Sequence, residues 1–138
     1  MITAGVVIPF SAAHRLPKHP GMCARVHGHN YRVEIEVGGN ADETGAVIWF
    51  ETIDEKVGGW IRDTLDHRLI VSPDEDQALL DSDPHHVVCP YGDPTAENFA
   101  LWIGEKATEL LAPHVVMRVR SYEIHGFGEC WAEWRPSP

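Results

Sequence analysis

Between His29 and Val37 the residues alternate, with Tyr31, Val33, Ile35 and Val37 on one side and Arg32, Glu34 and Glu36 on the other. A period of two marks a strand with one face covered and the other wet. A chain built around such a strand must supply an apolar cover for it. Two segments qualify. Ile53, Val57, Trp60, Ile61 and Thr64 recur at helical intervals from Thr52-Ile-Asp-Glu55, which has capping-box spacing, although Gly58-Gly59 weakens that helix. Phe99, Trp102, Ile103, Ala107, Leu110 and Leu111 do the same from about Thr95, behind Asp93-Pro94, and Pro113 closes the second helix. Residues 2–8, 115–123 and 129–135 read as further strands, Gly38-Gly39-Asn40 as a turn and 46–50 as an extended piece. Residues 72–93, rich in Asp, Pro and His, read as a long loop with a short turn near Gln77–Leu80. The order strand, strand, helix, helix, strand, strand predicts an α+β domain, a four-stranded antiparallel sheet with both helices on one face. With 138 residues the expectation is one domain, residues 1–138, around one core.

Charge narrows the partners. Eleven Lys and Arg stand against 21 Asp and Glu, a net −10, which disfavours nucleic acid. Yet Met1 to Val33 holds no acidic residue, while Arg15, Lys18, Arg25 and Arg32 are basic, an island suited to a compact anion unless the clustering is chance. No apolar run reaches membrane-spanning length and no basic, then apolar leader opens the chain, so the expectation is a cytoplasmic protein without membrane contact. Three cysteines without close pairing argue against a disulfide framework.

His27-Gly28-His29 carries the sharpest chemical signal. In a strand, residues i and i+2 share a face, so both imidazoles can meet one ion, and His14 in Phe-Ser-Ala-Ala-His-Arg-Leu can add a third nitrogen. Three histidines and an open fourth position describe a catalytic Zn²⁺ site; surface histidines are the alternative. Cys23 reads either as a thiol activated by Arg25 and the metal, or as a small buried apolar residue. Asp66-His67 reads either as a carboxylate that orients an imidazole or as an ordinary helix-terminal histidine; sequence neighbours rarely pair directly. Glu123, in an otherwise apolar strand, either accepts two N–H bonds from a planar amino-heterocycle or sits on an exposed edge. His85, His86, Cys89 and His125 have no evident partners and read as structural or surface residues.

Phe10-Ser-Ala-Ala-His-Arg-Leu16, Cys23-x3-His27-Gly-His29-Asn-Tyr31, Leu65-Asp-His67, Pro94-Thr-Ala-Glu-Asn98 and Glu123 occur in one order. In this the chain resembles the 6-pyruvoyl-tetrahydropterin synthase / 6-carboxytetrahydropterin synthase family over about residues 2–134. The resemblance implies a T-fold (tunnelling fold) subunit in a homohexamer, a dimer of trimers with active sites between subunits. It implies zinc on His14, His27 and His29, Cys23 as catalytic base or nucleophile, and Asp66 with His67 as a second proton relay, acting across a subunit boundary. Glu123 would anchor the pterin, with Thr95 and Glu97 near that pocket. The implied substrate is 7,8-dihydroneopterin triphosphate, whose polyanionic tail suits the basic island with Arg25. The Cys-x3-His-Gly-His spacing is similar to the bacterial 6-carboxytetrahydropterin synthases of the queuosine and 7-deazapurine route, which favours the carboxy product over the pyruvoyl one. The sequence departs from the family before the first helix, at Val-Ile-Trp49-Phe-Glu, where Thr52 and Glu55 are expected to replace a lost cap. It departs again in the long 72–93 loop and at Gly126-Phe-Gly-Glu-Cys-Trp131.

Two other readings compete. Gly21-x5-His27-x-His29-x4-Glu34 fits most of a cupin motif, but Glu34 lies five residues from His29 and so on the opposite strand face. A non-catalytic metal- or pterin-binding protein is the other, and the joint presence of Cys23, Asp66 and His67 speaks against it.

Overall fold

The computed structural model describes all residues, 1–138. Its strands are β1 (Ile2–His14), β2 (His27–Gly39), β3 (Arg68–Val71), β4 (Val87–Val88), β5 (Val115–His125) and β6 (Gly128–Trp134). They form a single sheet in the order β4-β3-β1-β2-β5-β6. The sheet is therefore six-stranded rather than four-stranded, and its β1, β2, β5, β6 part is antiparallel as expected. The two added strands run parallel to β1 and come from segments without alternation: Leu69, Ile70 and Val71 are all buried, and β4 is only two residues long. Neither segment offers a period of two to read.

The first helical segment joins α1 (Phe50–Ile53), a π-helical turn (Asp54–Gly58) and α2 (Gly59–Thr64). It starts earlier than the Thr52–Glu55 spacing predicts. Trp49 is the N-cap and contributes no side-chain hydrogen bond, so no capping box forms and residues 46–50 do not make a strand. Within the long 72–93 stretch lies α3 (Gln77–Ser82), capped where the Asp76 carboxylate accepts from the Ala78 amide at 3.2 Å. The longest helix, α4 (Ala96–Leu111), begins as expected at Thr95, whose hydroxyl accepts from the Asn98 amide at 3.1 Å.

Ile53, Val57, Ile61 and Leu65 from the first helical segment, and Phe99, Ile103, Ala107 and Leu111 from α4, pack on Ile8, Phe10, Tyr31, Val33 and Ile35 of the sheet. The helices thus cover one face, and Phe10 stacks on Tyr31 with ring centroids 4.8 Å apart. The other face is a charged ladder. Arg118 reaches Glu34, Glu36 and Glu133, and Arg120 reaches Glu133 at 2.7 Å. Glu34 belongs to this ladder, away from His29, as strand parity requires, and that removes it from any cupin-like ligand set. No helix is long and apolar enough to cross a membrane.

Helix α4 meets β6 closely. A Cβ on Gly104 would lie 2.3 Å from the Trp134 ring, so only glycine fits there. Gly104→Ala is expected to push Trp134 off the helix and lower stability by about 1–3 kcal/mol. The denaturant midpoint reports this, and an unchanged midpoint would contradict the packing.

Candidate metal centre and active site

The β1–β2 register builds the centre. His14 lies directly opposite His27, and His29 faces Ala12, two residues back along β1. All three histidines occupy the helix-covered face, where Ala12 leaves room for their rings. His14 is fully buried; His27 and His29 are half-buried.

Each ring is turned by a backbone carbonyl. His14 Nδ1 lies 2.8 Å from Pro94 O, His27 Nδ1 lies 2.6 Å from Arg25 O, and His29 Nδ1 lies 2.9 Å from Ile124 O. A carbonyl oxygen only accepts, so all three Nδ1 atoms carry hydrogen and all three Nε2 atoms present lone pairs. His14 and His27 bring these lone pairs to 3.1 Å, an arrangement that repels unless a cation stands between them. His29 Nε2 is buried without a hydrogen-bond partner and belongs to the same set, its donor atoms within 4.8 Å of one another. Ligands on a tetrahedral zinc ion with bonds of roughly 2.0–2.1 Å stand about 3.3 Å apart, so the His14–His27 spacing suits that ion. The carbonyl partners are the outer contacts that fix the tautomers of ligating histidines. A three-imidazole donor set fits zinc.

Burial pushes the His14 pKa down from 6.5 to about 4, against the opposing pull of the Pro94 carbonyl and Glu123. The folded metal-free chain therefore keeps His14 neutral at pH 5, where the unfolded chain protonates it. Between pH 6.5 and 4 the unfolded state binds more protons, so stability is full above that window and falls as pH is lowered through it. The contribution of His14 to the loss is expected to be about 3 kcal/mol, and ion-paired carboxylates such as Glu133 and Glu75, held below their usual range, continue the fall at lower pH. Denaturant midpoints of metal-free protein across this range check it; a flat profile contradicts it.

Glu123 is buried on the same face, opposite Tyr31. It is not an exposed edge residue. Its Oε1 lies 2.6 Å from His125 Nε2 and 3.4 Å from His29 Nε2. His125, which the sequence offered no partner for, is thus part of the site. Its signal was available: two residues after Glu123 in one strand, it shares that face.

Cys23 is half-buried in a short 3-10 turn, Met22–Ala24, within residues 15–26, which join His14 to His27. Its carbonyl accepts from the Leu16 amide at 2.8 Å. Cys23 is not among the clustered metal donors. Asp66 and His67 do pair, contrary to the expectation for neighbours, with Oδ1 and Nδ1 3.0 Å apart. His67 has a left-handed backbone, φ 61°, which is uncommon for a residue other than glycine. Both residues dock on Ser11: its amide donates to Asp66 Oδ1 at 2.9 Å and its carbonyl accepts from the His67 amide at 2.6 Å. The His67 side chain is 83% exposed, and the pair stands outside the histidine cluster.

Thr95 is occupied as the α4 cap, next to the Pro94 carbonyl that turns His14. Glu97 is exposed in the first turn of α4, where its charge complements the helix dipole. The basic island is largely neutralised. Arg15 forks onto Glu75, Lys18 faces Asp93 at 3.7 Å, and Arg32 meets Glu34 and Glu129. Exposed Arg25 is the member without a carboxylate partner. Cys89 is a buried core residue whose thiol burial pushes up, and His85 and His86 serve the local turn around Asp83.

A family model described as 6-pyruvoyl tetrahydropterin synthase matches residues 5–136. The chain is 36% identical over 130 residues to a 6-carboxy-5,6,7,8-tetrahydropterin synthase of Rickettsia bellii, covering 91% of this chain and 94% of that protein. Among solved structures it superposes on a 6-pyruvoyl tetrahydropterin synthase of Caenorhabditis elegans with a TM-score of 0.72 at 26% identity, over 99% of this chain and 96% of that one. An uncharacterized protein of Wolinella succinogenes has the same fold, with a TM-score of 0.81 at 18% identity over 99% and 98% of the two chains. The T-fold neighbours agree with the α+β architecture, and the ordered motifs fall within the matched span: the chain belongs to the 6-pyruvoyl tetrahydropterin synthase family.

Proposed function

We propose that this chain is a zinc-dependent 6-carboxy-5,6,7,8-tetrahydropterin synthase, acting as one catalytic unit over its whole length. It converts 7,8-dihydroneopterin triphosphate, with water, to 6-carboxytetrahydropterin, acetaldehyde and triphosphate. The observation that carries this reading is the convergence of three imidazole lone pairs beside a buried carboxylate. The name of the Rickettsia relative supports the carboxy branch.

Zinc held by His14, His27 and His29 supplies Lewis acidity that polarises the substrate's side-chain oxygens and acidifies the adjoining C–H bonds. Glu123 accepts two N–H bonds from the edge of the pterin ring and so sets which carbon faces Cys23. Cys23 takes the proton as base. In this reading Thr95 and Glu97, at the start of α4, contact the pterin, and Arg25 meets the triphosphate. His67, exposed and oriented by Asp66, donates and accepts protons at a site shared with a second copy of the chain, within a hexamer of T-fold subunits. In this reading the enzyme works in the cytoplasm, in queuosine or another 7-deazapurine route.

Mass spectrometry of products from 7,8-dihydroneopterin triphosphate tests the proposal. Zinc-stripped protein should be inactive, and reloaded protein should release 6-carboxytetrahydropterin and acetaldehyde. A pyruvoyl product would keep the class and overturn the branch. No turnover by zinc-loaded protein would overturn the proposal.

A further inference from the structure

Glu123 has no lysine or arginine partner; its neighbours are the imidazoles of His125 and His29. The His125 ring has two aromatic neighbours, the His29 ring at 4.5 Å and that of Phe127 at 4.8 Å between centroids, although Phe127 is 83% exposed to solvent. Phe127 sits in the turn between β5 and β6. His125 Nε2 lies 2.6 Å from Glu123 Oε1.

Two roles are open to His125. It can donate a hydrogen bond to Glu123, or it can join His29 and Glu123 as a second set of metal donors, since those three donor atoms lie within 4.8 Å of one another. Distance decides between them. Two ligands on one tetrahedral zinc ion stand about 3.3 Å apart, whereas 2.6 Å is the separation of a short hydrogen bond to a carboxylate. His29 argues the same way. Its Nδ1 hydrogen is committed to the Ile124 carbonyl, so its single lone pair already serves the set with His14 and His27.

We infer that His125 is a positioning residue for recognition of the pterin ring, an inference that rests on the function proposed above. A glutamate side chain has three torsions to fix before it can receive a planar ligand with two adjacent N–H groups. The Nε2–H of His125 fixes them in advance through Oε1, and each carboxylate oxygen accepts up to two hydrogen bonds, so both remain open to the ligand. His125 thus acts through Glu123 and does not touch the reacting carbons.

The test is fluorescence titration of neopterin into zinc-loaded wild type, His125→Ala and His125→Gln, with zinc content measured in each. Glutamine places an amide N–H near the position of Nε2–H; alanine removes the donor. Alanine is expected to weaken neopterin binding about tenfold, the effect of one lost hydrogen bond to a charged group. Glutamine should restore most of it, and zinc content should be equal in all three. Alanine binding neopterin as tightly as wild type overturns the inference, as does equal weakening by both variants, which would place the effect in packing. Loss of zinc in the alanine variant would make His125 a metal donor and overturn it too. A wild-type protein that holds zinc and takes up no neopterin overturns the proposed function itself, and this inference with it.

Discussion

Cys23→Ala is expected to lower turnover on the order of a thousandfold, the usual loss when a positioned base is removed, while zinc content stays at the wild-type level. The side chain is half-buried in the turn Met22–Ala24, and what that turn contributes to the fold is the Cys23 carbonyl, which holds the Leu16 amide. Alanine keeps that bond. Steady-state rates on 7,8-dihydroneopterin triphosphate, beside zinc analysis of the same samples, separate the two roles read from the sequence. A merely apolar Cys23 leaves the rate within a fewfold of wild type. Wild-type activity in the alanine variant would remove the thiol from the chemistry.

His27→Ala is expected to abolish both metal binding and turnover. His27 supplies one of the two facing lone pairs, and its ring, at the first residue of β2, is only half-buried. The hairpin does not depend on it, because pairing from Ile2↔Gly39 to His14↔His27 runs through the backbone. Zinc affinity should fall by more than the roughly 10–100-fold that follows loss of an outer partner, with an unchanged circular dichroism spectrum. Unchanged zinc content in the variant would make His27 a structural histidine.

How far the site can be read in the sequence follows from which parts use side chains in regular strands. His14, His27 and His29 are legible because two strands and a period of two bring them to one face, and their antiparallel register completes the cluster. The carbonyls of Pro94, Arg25 and Ile124 orient the rings and have no sequence signature, since every residue carries one. The Asp66–His67 pair was obscured for a different reason. Its histidine stands at a left-handed backbone angle, which histidine does not signal in the sequence as a glycine would. The pairing of Arg15 and Lys18 within the basic island was hidden because their partners, Glu75 and Asp93, come from a distant segment read as a loop. That segment also holds β4, and β3 lies just before it; these short strands, parallel and buried or at the edge, lack alternation. The four antiparallel strands of the sheet and α4 were legible because their periodicities are long.

The central claim is that the end of the β1–β2 hairpin is a three-histidine zinc centre with Cys23 outside the coordination sphere. X-ray absorption at the zinc edge on the purified protein tests it most directly. The account predicts three imidazole nitrogens and one further oxygen or nitrogen at roughly 2.0–2.1 Å, with no sulfur. A sulfur shell near 2.3 Å would put a cysteine on the metal and contradict it.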